Sequence, residues 1–249
     1  MTTSTLVTFL VVVAVASYLQ ALTGFALGIF ALGGVILLDL SSLATAALVI
    51  NVLMVTNVVL ALRKSWHAIN VRLALVTLSG IVPGAVAGLW LLGNLGEAYA
   101  GYVQLALGLL IVGAGVTMCV NPKPRSLRSP SYQFVFYGLM GGVFGGLYSI
   151  PGPPVVFLFY RQPLSIAVVR ATLLAVFGLM SIFRLIAVAG QAEIPLDAVE
   201  LSLWSMPVVI AVSALFARFP PSLPDVLLRR AAFVLLVCMG GFISATALQ

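Results

Sequence analysis

Helix-breaking residues interrupt two long apolar runs of the sequence, at residues 22–28 and 145–154. The residues there that we expect to contact a ligand are Thr23, Gly24 and Phe25 in the first segment and Ser149 and Gly152 in the second. A helix that restarts after such a break begins with free backbone N–H groups and with the positive end of its dipole, which together attract anions. Thr23 is the predicted N-cap of the first restart, and Ser149 or Gly152 that of the second. Both segments are therefore predicted to bind an anion, and we call them the two tips.

Three polar side chains in neighbouring apolar runs extend this prediction. Arg170 offers a planar, permanently charged fork that matches the oxygens of a carboxylate, sulfonate or phosphate, and a charge at membrane depth usually has a function. Its alternative role is to extend toward the lipid headgroups and help to orient the chain. Asn51 and Thr172 lie at matching positions of two sequence halves, and both donate hydrogen bonds without adding charge. Asn57 lies on a different helical face from Asn51 and suits the joining of helices.

The residues of other chemistries are few and poorly placed. All six carboxylates lie at the ends of apolar runs, and the single histidine, His67, lies in a basic joint beside Trp66. Cys119 and Cys238 are far apart and have no metal-ligand spacing. We therefore expect no metal site, no cofactor and no internal carboxylate relay. The basic residues lie in short joints, where topology signals normally lie, so nucleic acid is not expected as a partner.

The composition requires a lipid environment. Hydrophobic residues make up 62% of the chain and charged residues 7%, and the apolar runs continue for about 20 residues, the length of a membrane-spanning helix. Strands of a membrane barrel would instead alternate in polarity. The sequence therefore predicts an all-α polytopic membrane protein.

The chain divides into two similar halves, residues 1–120 and 132–249, joined by a basic linker at residues 121–131. Each half begins with an unusually long, glycine-rich segment and continues with three ordinary apolar segments. Gly24 matches Gly145 at the same offset that relates Asn51 to Thr172. Duplicated halves are a common construction of secondary transporters.

The distribution of charge predicts how the two long segments cross the membrane. If each is a re-entrant hairpin that enters and leaves on one face, ten basic residues fall on one side, which the positive-inside rule makes cytoplasmic. These are Arg63, Lys64, Arg72, Lys123, Arg125, Arg128, Arg161, Arg218, Arg229 and Arg230. The prediction is an inverted repeat with six full spans, two hairpins with arms of about 15 residues, and both termini outside. A single broken helix in each half is the alternative.

The tips also resemble those of the TauE/SafE sulfite exporter family. The similar motifs are residues 23–28, residues 141–146 with 149–154, and the short element Arg170–Ala171–Thr172. The resemblance implies export of sulfite or organosulfonates, or transport of another small organic anion, across a bacterial inner membrane. Ala26 and Leu27 replace glycines common in the first motif, and Pro151 and Pro153 interrupt the second, which favours a distant subfamily.

The sequence therefore predicts a secondary transporter that holds a small anion between the helix N-termini at the two tips. An anion channel would use the same tips. A membrane-embedded enzyme is a weaker alternative, because no nucleophile with its base is visible. The expected partners are the anion and the lipid bilayer, and assembly as a homo-oligomer stays open.

Overall fold

All regular structure in the described part of the chain is helical, as the composition predicts. The computed structural model describes residues 3–63, 65–94, 102, 105, 108–109, 111–113, 115–116, 119–120, 124–148, 152–189, 195–219 and 223–246. The helices with complete bounds there are α1 (Thr3–Thr23), α2 (Leu27–Leu37), α3 (Leu43–Leu62), α4 (Val71–Asn94), α5 (Ser131–Tyr148), α6 (Gly152–Tyr160), α7 (Ile166–Ala189), α8 (Leu196–Arg218) and α9 (Asp225–Thr246).

Several of these helices can cross a membrane. Among the described residues, α1, α3, α4, α7 and α8 each contain an apolar stretch of sufficient length. Helix α9 has 22 residues but carries Asp225, Arg229 and Arg230 near its start. The predicted span at residues 99–120 is described only in part. The chain is therefore a multi-pass membrane protein, while the count of six spans and two re-entrant hairpins stays a prediction.

The described residues cluster into two compact units, and each unit uses both halves of the sequence. The first lies within Met1–Ile69 and Leu174–Ser222, and the second within Asn70–Leu173 and Leu223–Gln249. This division follows packing, whereas the predicted boundaries at residues 120 and 132 concern duplication of the chain. The predicted repeat therefore stays a prediction.

In the first unit, α1 and α2 lie antiparallel on either side of a sharp turn. The turn contains Gly24, whose φ of 84° is in the left-handed region that favours glycine. A Cβ at Gly34 would lie 2.6 Å from Cγ1 of Val12, so the two helices are in close contact. The arms have 21 and 11 residues, which differs from the expected two arms of about 15. The break lies nearer the end of the apolar run, since the helix continues to Thr23.

In the second unit, α5 and α6 form a similar antiparallel pair with arms of 18 and 9 residues. The rings of Phe134 and Phe159 meet edge to face at 5.4 Å, and those of Tyr137 and Phe157 stack at 5.9 Å. Ser149 lies in the connection at residues 149–151, outside the described residues. Both pairs thus combine a long first arm with a short second arm.

The second unit also contains a close glycine-mediated contact between α4 and α5. Gly80, Gly84 and Gly88 occur every fourth residue on α4, and each faces the backbone of α5. A Cβ at Gly84 would collide with the carbonyl oxygen of Leu139. Contacts advance along both helices in the same direction, so α4 and α5 run parallel. Since lipid provides no hydrophobic drive for helix association, such backbone proximity favours dispersion contacts between the helices.

We expect Gly84→Ala to destabilise the protein by about 1–3 kcal/mol, because the added methyl group meets backbone rather than a movable side chain. Gly241→Ala is the matched control, since a Cβ at Gly241 has nothing within 4 Å. The measurement is thermal unfolding of each purified variant in detergent. Equal melting temperatures for the two variants would contradict the close contact.

Candidate functional site

The start of α2 is the first predicted tip, and a side chain already occupies it. The backbone N–H of Leu27 donates a hydrogen bond of 2.9 Å to Oε1 of Gln20, which is completely buried. Nε2 of Gln20 lies 3.3 Å from the sulfur of Met54 on α3. This N–H was expected to be free, and that expectation is corrected. A buried N–H without water must find an acceptor, and Gln20 supplies one.

The predicted contact residues of this tip lie together at the turn. Thr23 is buried, and its hydroxyl donates a 2.7 Å hydrogen bond to the carbonyl of Leu19, within α1. The N–H of Gly24 donates to the carbonyl of Gln20 at 2.6 Å. Phe25 is buried beside them. The structure thus brings these three predicted residues together around the end of α1. Thr23 is the last residue of α1 and α2 begins only at Leu27, so the prediction that Thr23 is the N-cap of the second helix is wrong.

Asn51 lies on α3 in the same unit. Its amide donates a 2.7 Å hydrogen bond to the carbonyl of Ala47, one turn earlier in its own helix. The neighbouring Ile50 lies 3.8 Å from where a Cβ of Gly28 would be, so this part of α3 packs on the first turn of α2. Asn51 is half-buried. Asn51 therefore lies on the part of α3 that packs near the first tip, and one of its amide hydrogens is bonded to the carbonyl of Ala47.

Asn57 joins helices, which is the role that its position favoured. Its Nδ2 donates to the hydroxyl of Ser213 on α8 at 3.2 Å. About three turns earlier on α3, the hydroxyl of Thr45 donates to the carboxylate of Asp197 at 3.0 Å. The two bonds show that α3 and α8 run parallel.

The second predicted tip is the start of α6. The helix begins at Gly152, and Pro153 and Pro154 occupy its first turn, where a missing N–H removes no helical hydrogen bond. All three residues are buried. The positive end of this short helix therefore lies in the protein interior, as the sequence predicts.

Arg170 lies on α7, at the opposite end of α6 from this tip. It interacts electrostatically with Tyr160, the last residue of α6. Gly152 is eight residues before Tyr160, a distance of about 12 Å along a helix. Within this unit, Arg170 is therefore positioned at the base of the α5–α6 pair.

Thr172 is buried and fully engaged. Its hydroxyl donates to the carbonyl of Val168 at 2.7 Å and accepts the N–H of Asn70 at 3.0 Å. The side-chain oxygen of Asn70 in turn accepts the N–H of Leu73 at 3.1 Å, in the first turn of α4. Thr172 thus fixes the residue that caps α4, and an anion would have to displace its bond to Val168.

Arg229 has a structural role that the sequence does not indicate, because its position along the chain marks only a topology signal. Its guanidinium is buried and donates to the carbonyl of Tyr160 and, at 2.7 Å, to that of Leu164. The first carbonyl belongs to the last residue of α6 and the second to the loop that follows, where no helical N–H is left to bond them. Arg230 is exposed. Of these two adjacent arginines, Arg229 is thus the one that holds the end of α6 in place.

The end of the basic linker is anchored to the same loop. The side chain of Gln162 is completely buried; its oxygen accepts the N–H of Ser129 at 2.9 Å, and its nitrogen donates to the hydroxyl of Ser129 at 3.0 Å. The N–H of Arg125 donates to the carbonyl of Arg161 at 2.8 Å. Described residues 124–130 are thus tied to the loop that follows α6.

No group of three or more metal-ligating side chains occurs among the described residues. The polar groups near the two tips are amides, hydroxyls and backbone N–H groups, which bind by hydrogen bonding. The family model described as "Sulfite exporter TauE/SafE" matches residues 9–243.

This chain belongs to the TauE/SafE sulfite exporter family. It is 32% identical over 233 residues to a probable sulfite/organosulfonate exporter TauE of Cupriavidus necator, covering 94% of this chain and 91% of that protein. It is 26% identical over 176 residues to a probable inner membrane transporter protein TsaS of Comamonas testosteroni, covering 70% of each. No solved structure matches the chain.

Family membership confirms the predicted resemblance to the TauE/SafE family. Members of the TauE/SafE family are transporters, so this chain is a membrane transporter and not an enzyme. Convergence of the two tips on one anion stays a prediction.

We expect Arg229→Gln to lower the thermal stability of the protein strongly, because two carbonyls at the end of α6 lose a charged donor, at about 1–3 kcal/mol each. Arg230→Gln, which removes the same charge from an exposed neighbour, is the control. Unfolding of both purified variants is followed by circular dichroism in detergent. Similar melting temperatures would show that Arg229 does not hold the short arm.

Proposed function

We propose that this protein is a secondary transporter that moves a small anion, such as sulfite or an organosulfonate, out of the cell across the plasma membrane. The Cupriavidus necator relative is named a probable exporter of these anions, and its match covers nearly the whole chain. Sulfite and sulfonates present negatively charged oxygens, which accept hydrogen bonds from backbone N–H groups.

The observation that carries the proposal is the buried start of α6 at Gly152. A helix N-terminus placed inside an apolar unit carries partial positive charge in a region of low dielectric, where its interaction with an anion is strong. Pro153 and Pro154 keep the helix start in place without consuming an acceptor. A cation would be repelled from such a position. We propose that Ser149 and Gly152 contact the anion there.

The first tip supports anion binding in a different way. Oε1 of Gln20 accepts a hydrogen bond from the first N–H of α2, which is where an anion oxygen would be bound. We propose that the side chain of Gln20 holds this place in the absence of substrate and is exchanged for an anion oxygen. Thr23, Gly24 and Phe25 form the surroundings of that oxygen, and Asn51 supports them from α3.

Arg170 attracts the anion in this proposal. Its charge interacts with Tyr160, the last residue of α6, and α6 is about 12 Å long, so we propose that this charge attracts an anion bound at Gly152 over the length of that helix. Charges inside membrane helices concentrate ions on transport paths. Thr172, two residues further along α7, accepts the N–H of Asn70 and so keeps the start of α4 in position.

We expect Arg170→Ala to weaken the binding of sulfite or of a sulfonate by about tenfold or more, and Arg170→Lys to restore part of the affinity. The measurement is calorimetric titration of the purified protein, with sulfite uptake into proteoliposomes as a second readout. Arg218→Gln, at the exposed end of α8, controls for the loss of a positive charge.

Unchanged affinity in both Arg170 variants would remove Arg170 from the binding path. Flux that does not saturate with sulfite and shows no counterflow would identify a channel instead of a transporter.

We expect Gln20→Glu to reduce sulfite binding by about tenfold in alkaline buffer, because a carboxylate at the start of α2 keeps the N–H of Leu27 occupied and repels the anion. Gln20→Ala removes the amide without adding charge and should bind sulfite at least as well as the unmodified protein. Equal affinities for the Glu and Ala variants, measured by the same titration, would contradict the exchange at this tip.

A further inference from the structure

A cavity lies at the start of α4 and α5, and its lining contains none of the residues that we expect to bind the transported anion. It has a volume of about 240 Å³ and lies entirely within the second unit. Its lining consists of Arg72, Leu73, Val76, Arg128, Ser129, Pro130 and Ser131. This volume is smaller than the roughly 300 Å³ at which pockets for drug-sized ligands begin. The space therefore fits a single compact charged group.

The charge of this cavity is positive. Arg72 and Arg128 both line it, and neither forms an ion pair within the described part of the chain. No carboxylate contributes to the lining. Two guanidinium groups that flank one space offer paired donors to a tetrahedral oxyanion, such as a phosphate group.

The close contact between α4 and α5 explains why the two arginines share one cavity. The parallel helices are held together by Gly80, Gly84 and Gly88, so both begin at the same end of the pair. Arg72 is the second residue of α4, and Arg128 precedes α5 by three residues. Gln162 fixes the adjacent Ser129 through two hydrogen bonds, which limits the movement of this wall.

The surroundings of the cavity identify the source of the phosphate group. Exposed apolar side chains continue from it along both helices: Val71 and Leu75 on α4, and Tyr132 and Phe136 on α5. Acyl chains pack on such surfaces in a membrane, while the basic end of the helices lies on the predicted cytoplasmic face. A soluble phosphate would not use the apolar surface.

We propose that this cavity binds the phosphate of an anionic phospholipid headgroup, with the acyl chains along α4 and α5. Ion pairs between its phosphate and the guanidinium groups of Arg72 and Arg128 hold the lipid where α4 and α5 are in contact. This assignment depends only on the second unit and on no property of the transported anion.

The test is lipid binding to the full-length protein in neutral detergent, followed by native mass spectrometry. The probes are phosphatidylglycerol and phosphatidylcholine with the same acyl chains, and inorganic phosphate alone as a competitor. The protein should retain phosphatidylglycerol in preference to phosphatidylcholine, and inorganic phosphate should displace it poorly.

Arg72→Gln and Arg128→Gln should each weaken phosphatidylglycerol binding by about fivefold, since one basic residue near a membrane surface contributes roughly that factor. Arg218→Gln makes the same change on α8, in the other unit, and should leave lipid binding unchanged. Circular dichroism of each variant establishes that it is folded.

Three results would overturn the proposal. These are equal retention of the two lipids, an equal loss in Arg218→Gln, and full displacement by inorganic phosphate, which would identify a soluble-anion site.

Discussion

Backbone hydrogen bonding in the absence of water governs the arrangement of this protein. A chain in lipid must satisfy its N–H and C=O groups internally, and continuous helices do so everywhere except at their ends. In the described part of the chain, helices are interrupted inside apolar segments after Thr23 and before Gly152. Each interruption creates polar groups that need partners within the protein.

Side chains supply partners for the first interruption and for the C-terminal end of the short arm α6. Oε1 of Gln20 accepts the first N–H of α2, and Arg229 donates to the carbonyl of Tyr160 at the end of α6 and to that of Leu164 in the loop that follows. Gln20 stabilises a helix N-terminus, because its amide oxygen accepts a backbone N–H. Arg229 stabilises a helix C-terminus, because its guanidinium donates to backbone carbonyls. An interruption stabilised by a replaceable neutral acceptor is also a place where an anion oxygen can compete. The same unpaired backbone N–H group thus requires a partner in the fold and offers a site for the anion in the proposed transport.

The glycine contact between α4 and α5 is the second feature that determines the arrangement of the helices. It lets two helix backbones approach without side chains between them, and it fixes their starting ends together. Thr172 and Gln162 then secure the residues just before each helix start, through Asn70 and Ser129. This arrangement leaves Arg72 and Arg128 to face a shared cavity. The positive-inside rule alone would account for both charges, and the cavity gives them the additional role that we propose.

The sequence by itself determined the membrane class, the helical structure and the places where the helices break. Apolar run length and helix-breaking residues are local properties, so Gly24 and the Gly152–Pro153–Pro154 start could be located without a structure. Family motifs at these tips also indicated a transporter.

Only the tertiary structure decided which groups meet. The bonds of Gln20 to Leu27, of Thr172 to Asn70 and of Arg229 to Tyr160 and Leu164 join residues 7, 102, 69 and 65 positions apart. Even the shortest of these crosses a turn whose geometry depends on Gly24. Hydropathy and charge counts record where a residue lies along the chain, whereas partners of a buried polar group depend on how helices pack against one another.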